Sequence, residues 1–270
     1  MYAKLLAYEI RSRYRADARS FGAFIVTIAV ASGIVAAGLP GISGSTAVLA
    51  YALCALTPVA CAIAAMADYW KTLYGQRGYF MMSLPVSGTT IFWAKTTRMV
   101  IECLLALALA VGGIIAVASA AAWSDGISLA EYTAGPRSLV AGVPTSTVAI
   151  MIVAQVLVSL SWLVQGSAVM SIGAEGRFNH MGFGAPIIGF VLLYIVNQVL
   201  STVGTFFLPL SVTTDGHFST EIMWTSYLAT MGTEGQPNVI GTGSYVLVPL
   251  VALVMAIWAS RSIEKHTSLR

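Results

Sequence analysis

The side chains able to do chemistry in this chain are few, and their spacing limits what they can do. Gly41–Ile42–Ser43–Gly44 has a Gly-x-Ser-Gly spacing that could present a serine nucleophile. Such a serine needs a base within hydrogen-bond reach. The histidines are His180, His217 and His266, none of them inside an apolar stretch, and Ser45 breaks a Gly-x-Ser-x-Gly elbow. A turn between two helices accounts for the tetrapeptide. His-Glu-x-x-His and paired-cysteine motifs are absent, and Cys54, Cys61 and Cys103 fall in apolar segments as small packing residues. Lys71 and Lys95 are each followed by Thr, but Trp70 and Ala94 stand where a phosphate-binding loop needs Gly. The expectation is a chain with no catalytic residue, no metal site, no cofactor of its own and no ATPase activity.

The elements that carry these residues are unusual in composition. Charged residues make up 9% of the 270, against about 25% in ordinary soluble chains. Hydrophobic residues make up 57%, and mean hydropathy is +0.82. Six stretches dominate: Phe21–Leu39, Ala47–Ala67, Met99–Ala122, Thr147–Met170, Phe183–Val203 and Ser244–Ser260. Together they hold a single charge, Glu102. Each is close to the roughly 20 residues a helix needs to cross a hydrocarbon core. The runs are continuous and do not alternate as barrel strands do, so the spans are helices. The predicted fold class is an all-α integral membrane protein with six transmembrane helices.

Orientation follows from Lys and Arg. With the N-terminus in the cytoplasm, 13 of the 14 fall on the inside, and Arg137 alone lies outside. Both termini are then cytoplasmic, and the polar face of Tyr2–Arg19 meets anionic headgroups. In that segment Tyr2, Leu5, Leu6, Ile10 and Tyr14 recur at helical spacing, with Lys4, Arg11 and Arg15 on another face. It reads as an interfacial amphipathic helix over residues 1–20, before a six-helix transmembrane bundle over 21–260 and a cytoplasmic tail over 261–270. Val35–Ala36–Ala37 could pass for a leader cleavage site, but the preceding segment, with Glu9 and Asp17, is long and mixed for a leader.

The connections differ in length. Pro40–Thr46 is a tight turn, whereas Asp68–Thr90, Trp123–Ser146 and Gly204–Gly243 are long. The last contains Phe206–Leu210 and Ile222–Leu228, apolar runs too short to span. These predict short re-entrant or interfacial helices between spans five and six, closing the outer end. Ile222, Trp224, Tyr227 and Leu228 are the candidate outer gate. Lys95 and Arg98 are expected to reach headgroups as inner-interface anchors, with Glu102 paired to Arg98 at i, i+4. Gln155, Gln165, Asn197 and Gln198 are the large polar groups inside spans, and interhelical hydrogen bonding is their expected role.

The first inner loop is the most specific segment. Tyr74–Gly75–Gln76–Arg77–Gly78–Tyr79–Phe80–Met81–Met82–Ser83–Leu84–Pro85–Val86–Ser87 is followed by Ile91–Phe92–Trp93–Ala94–Lys95. This resembles the membrane subunits of type-2 ABC exporters, in particular compact six-helix bacterial permeases. Their second-to-third helix link carries Gly-Tyr-Leu, then Thr-Leu-Pro-Val-Ser, then Ser-Lys. Gly78, Tyr79, Leu84, Pro85, Val86, Ser87 and Lys95 match it. The opening Lys4–Leu5–Leu6–Ala7–Tyr8–Glu9 is similar to the Lys-Leu-Leu-x-Tyr-Glu with which such subunits begin. Family members commonly carry acids before the Gly-Tyr, where this chain has Gln76 and Arg77, so a partner surface here should differ in charge.

The resemblance implies a permease subunit of an exporter in the bacterial cytoplasmic membrane. It implies a separate ABC ATPase that holds ATP and Mg, a second identical or related permease half, and no nucleic-acid partner. It also implies an ATPase-coupling loop of Tyr74, Arg77, Gly78, Tyr79, Phe80, Leu84 and Pro85. The loop suits such a role, because Pro85 stops a helix and Tyr79, Phe80, Met81 and Met82 offer an adaptable apolar surface. A non-transporting scaffold or immunity-type protein and an ion-coupled carrier are the alternatives. The scarcity of charge within the spans favours an apolar or amphipathic cargo.

Overall fold

A computed structural model describes residues 1–75, 78–83, 85–232 and 235–265. Helix dominates, at 79%. Six helices are long and apolar enough to cross a membrane. They are α1 (Tyr2–Ala36), α2 (Ile42–Leu73), α4 (Gly88–Ser124), α7 (Thr145–Gly173), α8 (Gly184–Phe207) and α10 (Ser244–Lys265). Shorter helices are α3 (Gly78–Met82), α5 (Leu129–Tyr132), α6 (Ala134–Ser138) and α9 (Met223–Thr230), with a 3-10 turn over Gly176–Met181.

Several helices outrun the apolar stretches that predict them. The amphipathic N-terminal segment and the first span form one unbroken helix of 35 residues. Ser20 and Gly22 stand at the change of pattern, but no proline interrupts the run and neither residue leaves helical geometry, so the helix continues through them. At 1.5 Å per residue α1 is about 52 Å long, well beyond the roughly 30 Å of a hydrocarbon core. The 32-residue α2 and 37-residue α4 have the same excess. That extra length carries the charges.

Contacts group the chain into two compact units, each with three of the long helices. The first comprises Met1–Gly75 and Trp93–Leu139; the second comprises Gln76–Phe92 and Val140–Arg270. In the first unit, Ile28 of α1, Ala50 and Cys54 of α2 and Val117 of α4 form a buried cluster, with Phe24, Ala47 and Tyr51 against it. Gly113 makes that approach possible, since a Cβ there would lie 2.7 Å from Cys54 Sγ. Gly41–Ile42–Ser43–Gly44 is the turn into α2, and the Ser43 hydroxyl donates to the Ile34 carbonyl at 3.0 Å. That serine is a structural donor in the α1–α2 hairpin.

In the second unit α7, α8 and α10 pack together. Gln165 of α7, fully buried, donates from Nε2 to the Val248 carbonyl of α10 at 2.9 Å and accepts from Asn197 Nδ2 of α8 at 2.7 Å. Gln155 accepts from the Tyr245 hydroxyl at 3.1 Å. These three polar groups therefore hydrogen-bond between helices as the sequence predicts, whereas the Gln198 side chain is exposed.

The segment after α8 departs from an all-α reading. Phe206 and Phe207 finish α8, and Leu208–Leu210 leads into a three-stranded antiparallel sheet. The strands are β1 (Ser211–Thr213), β2 (Phe218–Ser219) and β3 (Val239–Gly241), in the order β2-β1-β3. Val212 pairs with Phe218 on one side and Ile240 on the other. Asp215–Gly216 makes the hairpin, with Gly216 at φ 80°, a left-handed conformation that glycine adopts without strain. Phe206–Leu210 is thus a helix end and a strand approach, and only the Ile222–Leu228 run forms a short helix of its own.

Candidate functional site

The segment between α2 and α4 is the first candidate. Tyr69 and Leu73 near the end of α2 are buried, and Tyr74 stacks obliquely on Trp70 with ring centroids 5.2 Å apart. Gly75 follows because a Cβ there would sit 2.5 Å from the Lys71 carbonyl oxygen. The five residues of α3 then place Met81 inside and Tyr79 outside, at 4% and 54% exposure. Gly78 is buried and Pro85 exposed. Arg77, Leu84 and the Phe80 side chain, all named for the coupling loop, lie outside the described residues.

Ser87 explains where α4 begins. The Thr90 N–H donates to Ser87 Oγ at 3.3 Å, an N-cap that satisfies one of the orphan donors of the first turn. A Cβ at Gly88 would lie 2.8 Å from the Glu264 backbone nitrogen, so within the second unit the start of α4 abuts the end of α10. The Pro-Val-Ser-Gly run thus acts locally, ending α3, capping α4 and admitting α10.

The second candidate is not visible as a unit in the sequence. Within the first unit, α1, α2 and α4 bring seven charges together. Lys95 Nζ is 3.0 Å from Glu9 Oε1 and donates to Thr72 Oγ1 at 2.9 Å. Arg98 reaches Asp68 Oδ2 at 3.0 Å and Glu102 Oε1 at 3.2 Å, with Glu9 Oε2 at 4.0 Å. Arg13 meets Asp68 at 2.9 Å, Asp17 at 3.5 Å and Glu102 at 3.9 Å. Four carboxylates face three cations, and Glu102 Oε2 is buried with no hydrogen-bond partner. The i, i+4 pair of Arg98 and Glu102 forms as expected. The side chains of Lys95 and Arg98, expected as inner-interface anchors, are only 3% exposed and lie against these carboxylates. Sequence pattern does not single out Glu9, Arg13, Asp17 and Asp68 as members of this cluster. A signal is nevertheless present, since these acids share the flank that carries nearly all of the Lys and Arg.

The third candidate is α9, the segment expected as an outer gate. Its N-cap is Ile222, and Trp224 packs against Phe207 at 5.5 Å and edge-on to Phe206 at 6.1 Å. Tyr227 stacks on Trp224 at 5.9 Å. Buried Ser226 accepts from the Asn238 N–H at 3.0 Å, which ties α9 to the approach of β3. Trp224, Tyr227 and Leu228 keep more than a third of their surface exposed. The helix therefore folds back on the end of α8 through aromatic rings, without an ion pair among the described residues.

Six apolar spans joined by these connections define a multi-pass membrane protein. No protein-family model, curated protein or solved structure matches the chain.

Proposed function

We propose that this chain is the membrane-spanning permease subunit of an ATP-binding cassette exporter, forming part of the translocation pathway and docking on a separate ATPase. The observation that carries the reading is α3. It is a short helix set between two long ones, it exposes Tyr79, and it falls where the resemblance puts the coupling element. An element that transmits movement must be short and stiff, and a capped α4 starting six residues after α3 leaves little slack. With 13 of 14 cations on one side, both termini and α3 belong in the cytoplasm of a bacterial cell. A second identical or related half completes the pathway, and α9 closes its outer end as a re-entrant element.

The test is co-expression with an ABC ATPase encoded beside this gene, followed by assay of the purified complex. Tyr79→Ala should leave insertion and folding intact while weakening ATPase docking or cargo-stimulated hydrolysis, since exposed aromatics tend to carry such contacts. A variant that docks and transports like the parent chain would remove α3 from the coupling path.

Glu102, the one carboxylate within an apolar span, is buried among the charges of α1, α2 and α4 and favours a second reading, an ion-coupled carrier, because an ionisable group inside a span commonly marks an ion pathway. Transport that collapses with the proton gradient and ignores ATP would select it.

A further inference from the structure

Beside the polar core of the second unit lies an open apolar groove of about 370 Å³, within the ~300–1,000 Å³ range of ligand sites. It lies beside a close helix contact. A Cβ on Gly189 of α8 would fall 2.7 Å from Val169 Cγ1 of α7, and one on Gly173 would fall 2.8 Å from Pro186 Cδ. These glycines let α7 and α8 approach closely, and beside that contact Ile188 and Leu192 of α8 line the groove together with Met255 and Trp258 of α10. Among the described residues, Arg177 is the one charged group on the wall.

Arg177 stands at one end of this groove and is held in place. Its Nε is 2.7 Å from Glu175 Oε2, and its guanidinium lies 4.6 Å from the centre of the Phe178 ring, another wall residue. Glu175 engages one nitrogen of a group with five N–H donors, and 58% of the Arg177 side chain remains accessible. At the same end α8 begins at Gly184, and no side chain caps its first turn. Pro186 has no N–H, which leaves Gly184 and Ala185 as the first-turn donors, and the dipole of a long helix favours an anion there. Positive charge at one end and a hydrocarbon-lined trough along the helices match an amphiphile with an anionic head.

We propose that this groove is a specific site for an anionic phospholipid, one acyl chain lying along α8 and α10 and the phosphate on Arg177. Apolar burial alone gives no preference among bilayer lipids, because every acyl chain is equally apolar; the discrimination comes from the head. The site rests on the membrane placement of α7, α8 and α10 and needs no ATPase. The orientation proposed above puts this end of the groove at the cytoplasmic leaflet.

Trp258 supplies the probe. The full-length protein is reconstituted in phosphatidylcholine vesicles containing a fixed fraction of either dibrominated phosphatidylglycerol or dibrominated phosphatidylcholine. Bromine quenches indole fluorescence at contact, and subtraction of the Trp258→Phe variant isolates the Trp258 signal. The expected result is an apparent affinity about fivefold higher for the brominated phosphatidylglycerol, the preference one basic group near the surface supplies. Arg177→Gln should abolish that preference and Arg177→Lys should keep most of it, with circular dichroism confirming the helical fold in each. Equal quenching by both lipids in the parent chain would overturn the proposal, leaving ordinary boundary lipid in the groove. A preference unchanged in Arg177→Gln would overturn it too, by placing the anion elsewhere. Either failure leaves the permease reading untouched, since docking and transport are not measured.

Discussion

Lys95 Nζ lies 3.0 Å from Glu9 Oε1, and the two side chains are 3% and 5% exposed. The same ammonium also donates to Thr72, so one cation ties α4 to both α1 and α2. Glu9→Ala would leave that cation buried and uncompensated, a loss of about 3–5 kcal/mol for a broken buried pair. Thermal unfolding of the purified protein should show a large drop in midpoint. Replacing both partners, as Glu9→Leu with Lys95→Met, should recover much of it, because the desolvation cost disappears with the charges. A single variant as stable as the parent would mean that the pair is solvated and holds nothing together.

Two adjacent glycines in α4 should respond differently. At Gly113 a new Cβ meets Cys54 Sγ at 2.7 Å and Phe24 Cζ at 3.3 Å, whereas at Gly112 nothing lies within 4 Å. Gly113→Ala forces α4 away from α1 and α2, with an overpacking cost of about 1–3 kcal/mol. Gly112→Ala should be neutral or slightly stabilising, since alanine is the better helix former. Equal thermal stability in the two variants would show that the three helices are not in close contact.

Gln165 and Asn197 offer a measurable polar coupling. Truncating either removes a hydrogen bond between α7 and α8, worth about 0.6–2 kcal/mol in a membrane bundle. A double-mutant cycle with Gln165→Leu and Asn197→Leu should return a coupling in that range. Zero coupling would mean that each amide finds another partner when the first is lost.

Topology can be read with membrane-impermeant thiol reagents. Cys54 and Cys103 are buried, and Cys61 is partly so, which keeps background labelling low. A cysteine at Asp215, on the β1–β2 turn, should react in intact cells. One at Ser83, exposed after α3, should react only after permeabilisation. The reverse pattern would invert the orientation and move α3 to the outside.

Transmembrane character is legible in the residues because a hydrocarbon solvent leaves a long chain no alternative: about 20 apolar residues in a row must satisfy their own backbone as a helix. Likewise, the turn at Gly41 and the Arg98–Glu102 pair follow from neighbours along the chain. The end of α1 is less legible. A change from amphipathic to apolar pattern at Arg19 marks a change of surroundings, not of backbone, and the helix runs straight through it.

Local pattern could not decide which charges meet. Glu9, Asp68 and Lys95 belong to three helices, and their side chains converge only because α1, α2 and α4 are longer than the hydrocarbon they cross and pack along that excess. The sheet of β1, β2 and β3 is half visible, in Asp215–Gly216, but its third strand comes from residues 239–241 and needs the chain to return. The order of residues alone sets six spans, their charge asymmetry and a proline-broken link between α2 and α4. Packing decides that Lys95 and Arg98 turn inward, that α9 folds onto Phe206 and Phe207, and that glycines at 173 and 189 bring α7 and α8 together beside the groove that Arg177 lines. Periodicity reports the face a helix presents; only the packed neighbours report what that face meets.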